Sequence, residues 1–499
     1  MKKFLYTPEA SSFNKTLNIS MQLKMLGLML IIEACFMLIP LGVCIYMHEA
    51  DWLPFTISTF STGLTGILLK SLIHPKSRNM GRKDGCMLTS VVWIVFSFFG
   101  MMPFILGSSH LNVSEGFFEA MSGFTTTGAT VIRDIESCGY GIMIWRALTQ
   151  WVGGLGIVLF TLSIIPSLNN TKGLFMFHAE VTGITHDKIG ARISNTAKTL
   201  WGIYSILTVV LIFLLWAGPM NLIESVCQAF GAISTGGFST RNESIAAFDS
   251  VYIKVVLSIF MFIGGVNFSL VYTAMKGQFR DVWKNDVLRA YLAFIFIYYL
   301  IVLGSILLSG KPGDWQNLTI NPIFHIISAM TSTGYGAGNF ELWGETALVC
   351  TIIMMYFGAC AGSTTGGAKI DRLLYLIKSC RIEIIRFISP RTMKAVRINN
   401  QVVTSEKTHE IVAFLLLYTS LIIVGGLWLC SFDVPIVDAF FSAISCASNN
   451  GLGAGVTGVT GSYDFLPETG KWVMSFLMLS GRLEVFALIV LMTPKFWKS

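Results

Sequence analysis

Apolar runs long enough to cross a bilayer, about 20 residues each, recur along the whole chain. They fall at approximately 22–47, 52–71, 87–107, 142–165, 199–218, 252–275, 290–309, 345–368, 410–430 and 470–493. That pattern predicts about ten spanning helices. The first run follows a polar lead of about 20 residues that shows no small-residue cleavage site, so it reads as a retained helix, not a removed signal peptide. The longest polar stretch, 380–409, predicts a cytoplasmic helix and connection with a break at Ser389-Pro390, since the residue before a proline is pushed out of the helical region.

Shorter apolar stretches sit between alternate pairs of these runs: Gly116 to Gly123, Ile223 to Gly231, Ile323 to Ala329, and Val437 to Cys446. None is long enough to span. Four similar segments follow them and align without gaps: Phe124-Thr125-Thr126-Thr127-Gly128-Ala129, Ala232-Ile233-Ser234-Thr235-Gly236-Gly237, Met330-Thr331-Ser332-Thr333-Gly334-Tyr335 and Ala447-Ser448-Asn449-Asn450-Gly451-Leu452. In the second segment Gly237 could take the place of Gly236. The repeat is therefore helix, re-entrant half-helix, glycine-containing strand, helix. The expected architecture is an all-α membrane protein. Two N-terminal helices (1–84) precede four helix–pore-loop–helix repeats in pseudo-fourfold arrangement (85–198, 199–289, 290–408 and 409–499).

Composition agrees: 53% of the 499 residues are hydrophobic and 13% charged, against about a quarter charged in soluble domains. The net charge of +7 does not indicate nucleic acid, because the basic residues occupy every second connection. They are Lys2, Lys3, Lys15 and Lys24, then Lys70, Lys76, Arg78, Arg82 and Lys83, then Lys172, Lys188, Arg192 and Lys198, then Lys276, Arg280, Lys284 and Arg289. A fifth set runs from Lys369 to Lys407, and Lys495 and Lys498 close the chain. The alternate connections hold only Arg133, Arg241, Lys311 and Lys471. This is the positive-inside bias, which puts both termini in the cytoplasm and the re-entrant segments outside. The outer connections are mildly acidic (Glu49, Asp51, Asp134, Glu136, Glu243, Asp249, Asp314, Asp433, Asp464), a bias that favours cations. The ten cysteines are scattered without metal-ligand spacing and read as small apolar fillers.

Non-helical backbone at membrane depth is tolerated where it lines a water-filled cavity. Extended carbonyls can replace an ion's water shell, and glycine supplies the positive φ this requires. The candidate ion-binding residues are Thr126, Thr127, Gly128, Ser234, Thr235, Gly236, Ser332, Thr333, Gly334, Asn449, Asn450 and Gly451, with the hydroxyls or amides adding oxygens. The third segment looks like a degenerate Thr-Val-Gly-Tyr-Gly filter. A run of small residues, Gly358-Ala359-Cys360-Ala361-Gly362-Ser363-Thr364-Thr365-Gly366-Gly367-Ala368, interrupts the 345–368 span and ends at Lys369. Each glycine costs about 1 kcal/mol in a helix, so the helix should unwind beneath the filter, unless the small residues serve close helix packing. Arg482 lies ten residues past Trp472 and ten before Met492, which makes it a buried charge at bilayer depth. It is either a pore-facing group or a structural arginine neutralised by a carboxylate on another helix. Glu484, two positions on, should not share its face.

These segments, with Trp151-Val152-Gly153-Gly154-Leu155-Gly156, Gly366-Gly367-Ala368-Lys369 and Gly481-Arg482-Leu483-Glu484, resemble the Trk/Ktr/HKT superfamily in its bacterial TrkH-type branch, over essentially the full length. The family's loop differs from this chain at Thr365 and Ala368. The resemblance implies potassium uptake across the bacterial cytoplasmic (inner) membrane, with K⁺ as the transported ion. It implies a homodimer and a cytoplasmic TrkA-type nucleotide-binding regulatory ring, and no nucleotide bound by this chain. It also assigns gating to the intramembrane loop (Gly358, Gly362, Ser363, Thr364, Thr365, Gly366, Gly367, Lys369) and a barrier role to Arg482. Two rivals are an ion-coupled secondary carrier, which expects paired broken helices in inverted halves, and a membrane hydrolase. The seven dispersed histidines form no ligand pair for the latter.

Overall fold

The computed structural model describes residues 17–75, 77, 80–156, 193–308, 315–391, 394–399, 401–458 and 461–497. Several of the basic residues used above (Lys2, Lys3, Lys15, Lys76, Arg78, Lys172, Lys188, Arg192, Lys311, Lys498) lie outside the described residues, as does the end of the 142–165 span. Among the described residues the β structure is one antiparallel pair, β1 (Arg397–Ile398) with β2 (Gln401–Val402). Everything else of regular form is helical.

Two long helices, α1 (Ile19–Tyr46) and α2 (Trp52–Leu72), come first. One order of elements then occurs four times: an outer helix, a short helix, a loop and an inner helix. The first unit has α3 (Arg82–Gly100) with its continuation α4 (Met102–Leu106), then α5 (Val113–Phe124) and α6 (Tyr140–Gly154). The second has α7 (Ile193–Trp216), α8 (Leu222–Ser234), α9 (Val251–Gly264) and α10 (Phe268–Met275). The third has α11 (Asp286–Leu308), α12 (Ile320–Met330), α13 (Glu345–Phe357) and, after an irregular stretch, α14 (Ile370–Ile388). The fourth has α15 (Ser405–Cys430), α16 (Ile436–Ala447), α17 (Glu468–Arg482) and α18 (Phe486–Met492).

Among the described residues six helices are long and apolar enough to cross a membrane. Two runs read from sequence as single spans are bent instead: α9 and α10 meet at 107°, and α17 and α18 at 116°. The fourth run also gives a shorter helix than expected, since α6 ends at Gly154, while α13 ends at Phe357, where the glycine-rich run begins. Hydropathy averaged over a span-length window passes over the few polar residues at the two bends, Asn267 in one and Arg482 and Glu484 in the other. What bends the chain is the element packed against each break.

The short helices have 12, 13, 11 and 12 residues. At 1.5 Å per residue that is roughly 16–20 Å, about half a bilayer. The first two begin with reciprocal capping boxes: the Asn112 side chain accepts the Glu115 amide while Glu115 accepts the Asn112 amide, and Asn221 and Glu224 repeat the arrangement. Such caps contribute about 1 kcal/mol each. Lys471 of α17, nearly fully buried, donates to Glu115 at 2.8 Å and so pins the fourth unit to the cap of the first. Outward-facing apolar side chains such as Ile57 and Phe60 on α2, Phe213 on α7, Phe296 on α11 and Leu416 and Val424 on α15 are exposed. A chain in lipid can leave such side chains outside without cost.

One buried ion pair fixes the outer side of the centre. Arg146 of α6 donates to Glu119 of α5 at 2.8 Å, with side chains 2% and 0% exposed. Glu119 also accepts the Thr130 hydroxyl and the Val131 amide, and Arg146 donates to the Ser239 carbonyl at 3.1 Å. The pair therefore holds the strands leaving both the first and the second loop. Removing one member strands a buried charge, at a cost of about 3–5 kcal/mol. Glu119→Gln should lower the thermal stability and monodisperse yield in detergent sharply. The double variant Glu119→Gln/Arg146→Met should recover part of both.

Candidate ion pathway

The four short helices all end at one centre with the same backbone. At each end a residue in left-handed conformation is followed by one ordinary residue and then a glycine with positive φ. The pairs are Thr126 (φ 54°) and Gly128 (84°), Thr235 (54°) and Gly237 (74°), Ser332 (50°) and Gly334 (82°), and Asn449 (53°) and Gly451 (78°). The amide between them reaches back five residues in every unit: Thr127 to Ser122 (2.8 Å), Gly236 to Gly231 (2.8 Å), Thr333 to Ser328 (2.9 Å) and Asn450 to Ser445 (2.9 Å). These bonds satisfy the carbonyls each helix leaves open at its end.

This common backbone corrects the register of the second loop. By sequence Gly236 aligned with the other three glycines; by backbone Gly237 does, and Ser234, Thr235 and Gly236 fall opposite Thr125, Thr126 and Thr127. The other three loops carry a side chain where the second has Gly236. Gln150 of α6 fills that space, donating to the Gly236 carbonyl at 2.6 Å and accepting the Phe238 amide at 3.1 Å. Sequence reasoning missed Gln150, because its partner lies 86 residues away and nothing local marks it.

The four loops close into a ring. A Cβ on Gly128 would run into the Gly236 carbonyl oxygen, one on Gly237 into Thr333, one on Gly334 into Asn450, and one on Gly451 into Thr127. Each glycine thus packs against the carbonyl that precedes the glycine of the next unit, in the order first, second, third, fourth, first. Side chains stitch the ring further. Asn449 donates to Thr127 Oγ1 at 3.0 Å and Asn450 to the Ala329 carbonyl at 2.7 Å, while Tyr335 Oη donates to the Gln228 carbonyl at 3.1 Å. The buried hydroxyls of Thr125 and Thr127 meet at 2.8 Å, and those of Thr331 and Thr333 at 2.7 Å.

On the far side of the ring lies the irregular stretch between α13 and α14. Gly358, Gly362, Gly367 and Lys369 have positive φ, and the segment is non-helical, as its glycines predict. It fits the bend between α9 and α10. Cys360 and Thr364 amides donate to the Gly265 and Gly264 carbonyls, the Phe268 amide donates to Gly362, and Asn267 Nδ2 donates to the Ala361 carbonyl at 2.9 Å. The bend exposes backbone groups that the loop then satisfies. Above, the loop touches three of the four left-handed residues or their neighbours. Thr364 Oγ1 lies 3.2 Å from Thr235 Oγ1, the Gly366 amide donates to Ser332 Oγ at 2.7 Å, and Gly366 packs on the Ser448 carbonyl. Ser363 and Thr365 pair their hydroxyls at 2.7 Å, and the Lys369 ammonium caps the Thr365 carbonyl.

Arg482 completes the set at the fourth position, beneath the first loop. It ends α17 at the bend before α18 and is not at mid-helix, contrary to the sequence reading. Its guanidinium donates to the carbonyls of Gly153 (2.5 Å), Gly154 (2.7 Å) and Thr364 (3.1 Å), and lies 3.4 Å from Thr126 Oγ1. Gly153 and Gly154 are the last residues of α6, so the negative end of that helix faces the guanidinium. Gly153 packs against the Phe124 carbonyl and Gly154 against Ser234 and the Tyr204 hydroxyl, approaches a side chain would block. Glu484 turns away, to Arg372 of α14 at 2.6 Å.

A cavity opens on each side of this assembly. The outer one is lined by all four ring glycines together with Thr130, Phe238 and Tyr463. Around its mouth the acidic residues are engaged: Asp464 with Arg133, and Glu224 (2.7 Å) and Glu136 (3.6 Å) with Arg241. The rim is thus of mixed sign, where the sequence suggested an acidic one. Asp134 accepts Asn242 Nδ2, and that hydrogen bond holds its carboxyl below the usual range. The inner cavity is lined by Gly362, Ser363, Thr365, Gly366, Gly367, Lys369, Arg482 and Glu484.

A family model described as a cation transport protein, TrkH, matches residues 54–308 and 311–499. The Trk system potassium uptake protein TrkH of Escherichia coli K12 is 31% identical over 479 residues, covering 95% of this chain and 98% of that protein. The protein of the same name from Halomonas elongata is 31% identical over 486 residues, covering 97% and 100%. The crystal structure of the potassium transporter TrkH from Vibrio parahaemolyticus matches with a TM-score of 0.87 at 27% identity, covering 97% of this chain and 100% of that one. By sequence over nearly its full length and by fold, the chain belongs to the TrkH family of cation transport proteins.

Proposed function

We propose that the chain takes up potassium across the bacterial cytoplasmic membrane through a channel-like pore, with the four-loop ring as its selectivity filter and residues 358–369 as an intramembrane gate. The observation that carries this reading is the ring itself: four carbonyl-bearing loops of one backbone form, closed by glycine-to-carbonyl packing and open to a cavity outside. Carbonyl oxygens of such loops can replace the water shell of K⁺. Residues Thr126 to Gly128, Thr235 to Gly237, Ser332 to Gly334 and Asn449 to Gly451 are the proposed ion-binding set. The chain organisation proposed with it is a helix pair in 1–84 and pore units in 85–198, 199–289, 290–408 and 409–499.

Below the ring, the loop and Arg482 form the proposed barrier. A fixed positive charge in a low-dielectric cavity repels a passing cation more than it would in water. The Gly153, Gly154 and Thr364 carbonyls offset part of that charge, where the structural alternative expected a carboxylate on another helix. The partners proposed are a second copy of the chain and a cytoplasmic nucleotide-binding ring of TrkA type. The exposed basic residues Arg381, Arg386, Arg391, Lys394 and Arg397, with Ile377, Ile384 and Phe387 of α14 also exposed, support a cytoplasmic partner. Both termini would lie on that side.

Two measurements on purified protein in vesicles test this. Gly237→Ala places a Cβ against the Thr333 carbonyl at a φ that L-residues rarely adopt. It should abolish K⁺ over Na⁺ selectivity or uptake, whereas Gly236→Ala, which meets only the Gln150 side chain, should be milder; equal tolerance of both would remove the filter assignment. Arg482→Ala should raise cation flux per folded protein with K⁺/Na⁺ selectivity largely kept, and deleting Gly362 to Thr365 should raise flux and weaken control by the cytoplasmic partner. Loss of flux at normal fold yield in both variants would reject the barrier.

A further inference from the structure

The bend between α17 and α18 is three residues long, Leu483 to Val485, directly after Arg482, and its backbone is unusual. Glu484 has φ 50° and Val485 has φ 60°. Left-handed backbone is strained for a branched residue such as valine, and strain of this kind persists only where neighbouring contacts hold it. The contacts here run in opposite directions. Arg482 reaches up into the centre, to the Thr364 carbonyl in the middle of the loop and to the end of α6. Glu484 reaches out to Arg372, three residues past the loop's end, at 2.6 Å, with the two side chains 19% and 11% exposed. Arg372 in turn donates to the carbonyl of Ala368, one residue before the loop's end, at 3.1 Å and lies over the Phe414 ring of α15 at 3.9 Å. One short bend of the fourth unit therefore grips the loop of the third at its middle and at its end.

The gripped loop connects directly to α14, the helix that presents the exposed basic and apolar face to the cytoplasm. A pull on α14 acts first on Arg372, because that residue lies in the first turn of the helix. Separating Arg372 from Glu484 frees the loop's end and removes one of the contacts that hold Glu484 and Val485 left-handed. Relaxation there would carry Arg482, two residues earlier, with it. The two barrier elements would then move together and not independently.

We infer that the Arg372–Glu484 ion pair is the latch of the intramembrane loop: Glu484 is a positioning residue that holds both the loop and Arg482 in the blocking arrangement, and a force on α14 opens the pathway by parting this pair. The inference rests on residues 358–369 being the gate, so its test includes the loop deletion as a separate arm. In vesicles without any regulatory protein, Glu484→Gln and Arg372→Gln should each raise K⁺ flux by roughly five- to tenfold, within the range that couplings between contacting residues give, with K⁺/Na⁺ selectivity unchanged. The exchanged pair Arg372→Glu/Glu484→Arg should return flux toward the parent. A merely structural ion pair predicts lower fold yield in the single variants and no rise in flux per folded protein. If Glu484→Gln does not fold, Glu484→Asp, which keeps the charge but withdraws it, is measured instead and should give a smaller rise.

Unchanged flux in the folded single variants, while deletion of Gly362 to Thr365 raises flux, overturns the latch and leaves the gate standing. Unchanged flux in the deletion as well overturns the gate reading. A rise in both single variants that the exchanged pair does not reverse overturns the pairing.

Discussion

The contact on which the rest of this structure depends is that of a glycine with a neighbouring carbonyl, made four times around one axis. A side chain on Gly128, Gly237, Gly334 or Gly451 would strike the next loop's backbone, so the four loops can meet only because these residues have none. Closing a ring from one polypeptide also requires four segments, each separated by about a hundred residues, to reach the same conformation. The chain achieves this with one backbone device used four times, the left-handed residue and the five-residue return bond at the end of each short helix. Two of the four left-handed residues are threonines, which pay roughly 1–3 kcal/mol each for that backbone. Thr364 against Thr235 and Arg482 beneath Thr126 help to keep them there.

Much of this could be read from the sequence. Four Thr/Ser/Asn-rich segments ending in glycine, each behind a short apolar stretch, give the repeat; glycine density locates the unwound segment at 358–368 to within a residue. The legible features are those in which local chemistry determines local backbone. Three features were not legible, and they share a cause. The bends at Gly265–Asn267 and Leu483–Val485 lie in apolar runs and result from the element packed into them. The register of the second loop depends on Gln150, which sits on another helix. Arg482 looked like a mid-helix charge because the helix was assumed to continue; its true partners are backbone carbonyls, which carry no signature in sequence.

Backbone satisfaction links these features. Polar main-chain groups at membrane depth must find partners within the protein. The bend of the second unit leaves the Gly264 and Gly265 carbonyls and the Phe268 amide unmatched, and the loop of the third unit supplies the matching groups. The end of α6 leaves the Gly153 and Gly154 carbonyls open, and Arg482 of the fourth unit fills them. Each irregularity in one unit is thus completed by a different irregularity in another. This explains why four units of similar plan have different inner helices: α6 stops early, the second and fourth bend, and the third unwinds.

That interdependence has a mechanical consequence. A segment held by hydrogen bonds to two other units and to the ring loop of its own cannot shift alone without leaving donors and acceptors bare, at about 1–3 kcal/mol for each buried group. Water can take over those groups if the cavity beneath is open to it, and the inner cavity borders the loop along Gly362, Ser363, Thr365 and Gly366. The loop's bonds upward, from Thr364 and Gly366 to the ring, are fully buried, while its lower face already borders that cavity. Withdrawal is therefore least costly downward and from the Lys369 end, where hydration can replace what is lost, and the ring above, whose glycine contacts do not involve the loop, can keep its form as the loop departs.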